Sequence, residues 1–203
     1  MDNITRDYWN DYHKRVLNDM EYDDDLNGFL KRFYLSDKEP KTILELGCGQ
    51  GKDITYISEQ HQDWNCYACD YSWRALHRLN YKNLGKKNLL IRQALAEKTE
   101  YPDNKFDIVF ECVLLASNSN YIEIIKEMYR ILKPKGRFFI KELSDNDCNK
   151  DNKFLRRGSD TILFNEKALY NIMIENGFER VETSKVKLVS QNLEYIVCIG
   201  RKI

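Results

Sequence analysis

The residues best placed to do chemistry are three alternating glycines, Gly47, Gly49 and Gly51, in the run Ile43-Leu44-Glu45-Leu46-Gly47-Cys48-Gly49-Gln50-Gly51-Lys52-Asp53. An apolar run ending on glycines reads as a buried strand that turns tightly into a helix, where a side chain would keep a ligand from the backbone. The plainer reading is a tight strand-to-helix turn that binds nothing. The spacing G-x-G-x-G differs from the G-x-G-x-x-G that receives a dinucleotide pyrophosphate. Glu45, two residues before the first glycine, is a poor neighbour for a polyanion and a tolerable one for a ligand carrying ammonium and sulfonium charges. A cationic ligand is therefore expected at this bend.

Asp70 closes the next apolar segment, 23 residues after Gly47. A carboxylate there can accept hydrogens from both hydroxyls of a ribose. It would otherwise cap the following helix, but Ser72 is better suited to that position. The pair Cys66 and Cys69 has metal-like spacing, yet no second pair or spaced histidine completes four zinc ligands, so no metal is expected. The six cysteines are expected to be free thiols.

These groups need a frame, and strand and helix signals alternate from about residue 42, the pattern of a sheet covered by helices on both faces. Strands are expected at 43–46, 64–69, 89–91, 106–112 and 137–143, and helices at 52–60, 72–84, 121–132 and 166–176. Pro134 and Gly136 would stop the third of those helices. The segments 181–188 and 193–200 read as a closing hairpin, whose antiparallel last strand departs from the all-parallel dinucleotide-binding sheet. The polar run 144–153 is the one long insertion. The first 40 residues read as a helical cap of two helices, around 8–17 and 26–33, with Asp23-Asp24-Asp25 at the start of the second.

At 203 residues, with 42% hydrophobic and 32% charged side chains, the chain suits one domain: the cap at 1–40 and an α/β core at 41–203. No apolar run reaches membrane-helix length and the polar start lacks a signal peptide's apolar stretch, so a cytoplasmic protein without a membrane partner is expected. Net charge is zero, but residues 1–40 hold 6 basic against 10 acidic side chains and 131–203 hold 14 against 10. A mildly basic C-terminal third could touch phosphates, although charged runs are usually solvated surface.

Taken together, E-L-G-C-G-Q-G, A-C-D-Y-S, P-D-N-K-F-D-I-V and I-L-K-P-K-G resemble the class I S-adenosylmethionine-dependent methyltransferases over nearly the whole chain. The resemblance implies a Rossmann-like, seven-stranded, mostly parallel sheet with an antiparallel C-terminal hairpin strand, and S-adenosylmethionine as cofactor. It implies that Gly47, Gly49 and Gly51 line the methionine moiety, with Glu45 behind them, that Asp70 and Tyr71 lie at the ribose, and that Ala94 and Leu95 contact adenine. Ala94-Leu95-Ala96 stands where many members carry an acid near the adenine amino group. Cys112 matches a position that often lies against the cofactor.

A narrower resemblance, carried by Tyr8-Trp9-Asn10-Asp11-Tyr12-His13-Lys14-Arg15, by Tyr67–Ala75 and by Phe154-Leu155-Arg156-Arg157-Gly158 followed by Phe164, is to the eukaryotic transfer RNA 3-methylcytidine methyltransferases. In that family the aromatic N-terminal segment folds over the cofactor, which gives Trp9 and His13 a binding role; Trp9 reads equally well as a core aromatic of an amphipathic helix. His13 stands where Tyr is common, and Lys141-Glu142 replaces an Arg-Asp pair. The resemblance implies methylation of tRNA cytidine at N3, with tRNA and a protein such as an aminoacyl-tRNA synthetase as partners.

Methyl transfer of this kind needs the nucleophile and methyl carbon held in line and no covalent enzyme nucleophile. The candidates on the acceptor side are Glu111, to orient an exocyclic amine, and Lys141 with Glu142. Lys150, Lys153, Arg156 and Arg157 are the candidates for RNA phosphates. Two other functions compete: methyl transfer to a protein or small molecule, since this fold hosts many acceptors, and a silent binding subunit.

Overall fold

The computed structural model describes residues 8–13, 39, 41–145, 162–188 and 193–203. A helical segment at 8–13 (α1) precedes β1 (Thr42–Leu46), α2 (Lys52–Gln60), β2 (Asn65–Asp70), α3 (Trp73–Lys82), β3 (Leu89–Gln93) and β4 (Phe106–Cys112). A short 3-10 turn (Leu115–Ser117) then leads to α4 (Tyr121–Ile131), β5 (Leu132–Leu143), α5 (Glu166–Glu175), β6 (Phe178–Leu188) and β7 (Leu193–Lys202). The expected second N-terminal helix and the loop carrying Lys150, Lys153, Arg156 and Arg157 lie outside the described residues.

The seven strands form one sheet in the order β3-β2-β1-β4-β5-β7-β6. β1 pairs in parallel with both β2 and β4, while β7 runs antiparallel to β5 and β6. This is the sheet the resemblance implied. Its helices cover both faces because β1 alternates: Leu44 and Leu46 join Val109, Phe138 and Ile140 beneath α4 and α5, whereas Ile43 joins Phe110 and Phe139 beneath α2 and α3. Since β1 is flanked on both sides, its C-terminal end opens at the change of winding direction, where open α/β sheets bind ligands.

Local chemistry accounts for the helix boundaries. Ser72 caps α3 by accepting from the Ala75 N–H at 3.4 Å, and Asn165 caps α5 by accepting from the Ala168 N–H at 2.8 Å. Two strands are longer than their sequence suggests. β5 starts at Leu132 with Pro134 and Gly136 inside it, because a register shift between Phe106 and Ile108 of β4 takes up the residue that cannot donate to the ladder. β6 starts at Phe178 and carries an irregularity between Glu179 and Glu182, with Arg180 at φ 50°.

The described cysteines are free, three of the five on strands β2 and β7, and no group of three or more metal-ligating side chains forms among the described residues. No described helix is long and apolar enough to cross a membrane.

Candidate functional site

The three glycines all have left-handed backbone, φ 64°, 53° and 69° for Gly47, Gly49 and Gly51. Their missing side chains do different work. A Cβ on Gly51 would lie 2.3 Å from Leu79 Cδ1, in the core beneath α3, so this glycine lets helix and loop pack. A Cβ on Gly47 would lie 2.6 Å from Leu114 Cδ1, at the loop after β4. Gly49 faces His13, whose Cε1 would be 3.4 Å away. Gly51→Ala combines a strained φ with a backbone-to-core clash. It is expected to cost roughly 2–3 kcal/mol in urea unfolding, and an unchanged midpoint would contradict the packing role.

Asp70 ties the bend to β2. Its Oδ2 accepts from the Gly49 N–H at 2.8 Å and its Oδ1 from the Ser72 N–H at 2.7 Å. Each carboxylate oxygen has two lone pairs, so each keeps acceptor capacity for a ligand hydroxyl. Burial pushes the Asp70 carboxyl above its ordinary value, while the amides of Ser72 and Gly49 pull it back. Alongside, the Ala94 N–H donates to the Asp70 carbonyl at 3.0 Å, which brings Ala94 and Leu95 next to the acid.

Glu45 is buried on the other side of the bend, where its Oε2 accepts from the Ile54 N–H in the first turn of α2 at 3.1 Å. Burial first, and then the charge of Asp53, raise its pKa well above the carboxylate range. It fixes the start of α2 relative to the loop.

α1 closes over this arrangement through a contact sequence reasoning did not single out. Asn10 accepts from the Ser72 hydroxyl at 2.9 Å and donates to the Tyr71 hydroxyl at 3.3 Å, so the N-terminal segment is pinned to the two residues that follow Asp70. Tyr8, Trp9, Tyr12 and His13 form one aromatic cluster, with Trp9 and His13 centroids 6.0 Å apart. Trp9 and Tyr71 are half-buried, and His13 is buried against Gly49. The only sequence signal for Asn10 was its place inside the aromatic string.

The acceptor-side candidates separate. Glu111 and Glu142 lie on the face of the sheet that carries Val109 and Ile140, fully buried. Lys141 and Cys112 lie on the opposite face, with the Lys141 ammonium 4.1 Å from the centre of the Tyr195 ring. The two glutamates organise the loop after β4. Glu111 Oε2 accepts from the Leu114 N–H at 2.7 Å, and Glu142 Oε1 accepts from the N–H groups of Leu115, at 2.5 Å, and Ala116, at 3.1 Å.

Their remaining oxygens, Oε1 of Glu111 and Oε2 of Glu142, are buried without a hydrogen-bond partner, and the charge of Glu142 adds to burial in raising the Glu111 carboxyl. Burial raises both, Glu142 to about 7. The loop they hold includes Val113 at φ 59°, a conformation disfavoured for a β-branched residue, whose N–H donates to the Lys141 carbonyl at 2.7 Å. Leu114, held by Glu111, is the side chain that abuts Gly47.

Residues 44–140 match the family described as Methyltransferase domain, and residues 93–192 match that described as Anamorsin, N-terminal. The chain is 31% identical over 122 residues, 60% of this chain and 31% of the relative, to the 25S rRNA (adenine(645)-N(1))-methyltransferase of Saccharomyces cerevisiae. It is 23% identical over 185 residues, 81% of this chain and 56% of the relative, to the tRNA N(3)-methylcytidine methyltransferase Mettl2 of Drosophila melanogaster. Other matches carry the names of demethylmenaquinone and sterol methyltransferases. Thus the chain spans about a third to just over half of these first two relatives. Among solved structures, a SAM dependent methyltransferase from Aquifex aeolicus superposes with a TM-score of 0.75 at 21% identity, covering 96% of this chain and 98% of that one. The fold is that of the class I methyltransferases.

Proposed function

We propose that this chain is an S-adenosylmethionine-dependent methyltransferase acting on RNA, in its finer form on N3 of cytidine in tRNA. The observation that carries the donor assignment is Asp70, whose carboxylate spans the Gly49 and Ser72 amides at the end of β2, with acceptor capacity left for two hydroxyls. The residues fit the cofactor. Gly49 lacks the Cβ that would stand between the backbone and His13, Ala94 and Leu95 are tied beside Asp70, and Glu45 places an acid rather than a cation behind the bend. In this reading Asp70 holds the ribose, Ala94 and Leu95 border adenine, and Gly47, Gly49, Trp9 and His13 enclose the amino-acid end.

When bound, S-adenosylmethionine supplies an electrophilic methyl group. The protein's part is to hold the acceptor in line and keep water away. Neutral cytosine N3 offers its lone pair without deprotonation, so no general base is required once the base is unpaired and turned into the site. Carbon methylation of a pyrimidine would instead need a thiolate nucleophile. Cys112, the thiol at the end of β4, is held protonated by burial and by the charge of Asp53, which favours a heteroatom acceptor. The rRNA and tRNA relatives support an RNA acceptor in the same direction.

Incubation with methyl-labelled cofactor and total cellular RNA, protein and lipid in separate reactions, followed by mass analysis of the nucleosides, tests the reading. The expected product is labelled 3-methylcytidine in the tRNA fraction. Label confined to protein or to a quinone would reassign the acceptor. Absence of both label and donor binding at millimolar ligand would leave a silent binding subunit.

A further inference from the structure

The segment that borders adenine in this reading has no polar side chain with which to recognise a base. Ala94, Leu95 and Ala96 offer only apolar surface and main-chain N–H and C=O groups. Recognition by backbone and shape depends on where the backbone is held, and a displacement of about 1 Å is enough to lose it. The groups that fix this turn therefore set what it can bind.

The turn is tied down at both ends. At its entrance the Ala94 N–H donates to the Asp70 carbonyl at 3.0 Å, and the Gln93 side-chain amide donates to the Tyr71 carbonyl at 3.0 Å. The chain then folds back, with Leu95 bridged antiparallel to Lys98 and the Lys98 N–H donating to the Leu95 carbonyl at 3.1 Å. At its exit stands Thr99, fully buried, whose partner comes from α4, 28 residues further along the chain. Glu127 Oε1 accepts from both the Thr99 N–H, at 2.8 Å, and the Thr99 hydroxyl, at 2.5 Å.

Glu127 is itself held in one place. It is 8% exposed, its Oε2 accepts from Arg130 Nε and its Oε1 from Arg130 Nη2, both at 2.8 Å, and Arg130 also donates to Asp103 at 2.5 Å. Burial pushes the Glu127 carboxyl up, but the hydrogen bonds from Arg130 and Thr99 outweigh it and hold the group below its ordinary value. Glu127 is thus an ionised acceptor, which makes its grip on Thr99 stronger than a neutral one. The same helix end also takes the returning chain, since the N–H groups of Asn104 and Lys105 donate to the carbonyls of Arg130 and Ile131.

We propose that Glu127 is a positioning residue for the donor: by gripping Thr99 it sets where the Ala94–Lys98 turn stands beside Asp70, and so the affinity for the adenine ring, without touching the ligand. The proposal rests on the donor reading above, in which Ala94 and Leu95 border adenine.

The test is calorimetry on the full chain with two ligands, S-adenosylhomocysteine and S-ribosylhomocysteine, the second being the first without its adenine. Glu127→Ala is expected to weaken S-adenosylhomocysteine about tenfold and S-ribosylhomocysteine less than about twofold. Glu127→Gln keeps an oxygen for Thr99 but turns an NH2 toward Arg130. It should therefore lose stability in urea yet hold S-adenosylhomocysteine within about threefold of the wild type. Thr99→Val, which removes the hydroxyl that joins Glu127 and the Tyr101 N–H, should lose about threefold on S-adenosylhomocysteine alone, and it carries the test if Glu127→Ala does not fold. Equal losses on both ligands would mean a general loosening, and unchanged S-adenosylhomocysteine affinity in Glu127→Ala, or in Thr99→Val where that variant carries the test, would mean a turn placed without Glu127; either result overturns the proposal and leaves the donor reading intact. A wild-type chain that binds the two ligands equally, or neither, would instead remove adenine from this turn and take the proposal with it.

Discussion

Asp70→Ala is expected to weaken binding of S-adenosylhomocysteine by about 100-fold or more in calorimetry, the largest effect of any single substitution on the donor site. Two charge-assisted hydrogen bonds to ribose hydroxyls, each contributing roughly 1.5–3 kcal/mol, set that scale. The change also removes the acceptor for the Gly49 and Ser72 amides, so the bend and the cap of α3 loosen together. Asp70→Asn separates these roles. It keeps the shape, but an amide nitrogen facing an N–H cannot accept from it, so one of the two backbone bonds is lost along with the charge. Asp70→Asn is expected to fold with a small loss of stability and to bind the donor poorly. Unchanged affinity in both variants would remove Asp70 from the ribose role and, with it, the strongest support for the donor assignment.

Legibility in the sequence follows the range of the interactions. β1, the glycine bend and β2 were readable because their signals are local: an apolar run, glycines where φ must be positive, and a carboxylate at the strand end. The antiparallel close was readable from two apolar strands around a short turn. The start of β5 was not, since the chemistry of Pro134 and Gly136 argues for a stop and only the bulge opposite Phe106 shows how the ladder accommodates them.

For the site, residue types pointed to Glu111, Lys141 and Glu142 as one acceptor-side group, and only the sheet register shows Lys141 on the far face. The buried carboxyl pair that holds the loop after β4 joins residues 31 positions apart in the chain, and no local pattern announces it. The same holds for Asn10 and Ser72, brought together only by the fold.

The effect on stability should be greatest at Glu142. Glu142→Ala would leave the Leu115 and Ala116 amides buried without an acceptor, and is expected to cost about 3–5 kcal/mol in urea unfolding at pH 7. Glu142→Gln is the informative contrast. Its amide oxygen can still accept from Leu115 and Ala116, while it carries no group that ionises in this range. The pH dependence then distinguishes the two proteins. A carboxyl whose folded pKa lies above its unfolded value binds protons more tightly when folded. Its stabilisation is therefore complete below the unfolded value and declines as pH rises toward the folded one. For Glu142 the window runs from the ordinary 4.5 to about 7, and wild-type stability should fall across it by about 3 kcal/mol relative to Glu142→Gln. Glu45 and Asp70 titrate in both proteins and cancel in the difference. In unfolding at pH 5, 6, 7 and 8 the difference between the two proteins should therefore shift in favour of Glu142→Gln as pH rises. A difference that stays constant with pH would mean that burial does not raise the Glu142 carboxyl. Because the pair holds Leu114 against Gly47, Glu142→Ala should also raise KM for the donor several-fold, and Glu142→Gln should restore it. That rescue would separate positioning of the loop from any direct contact with substrate.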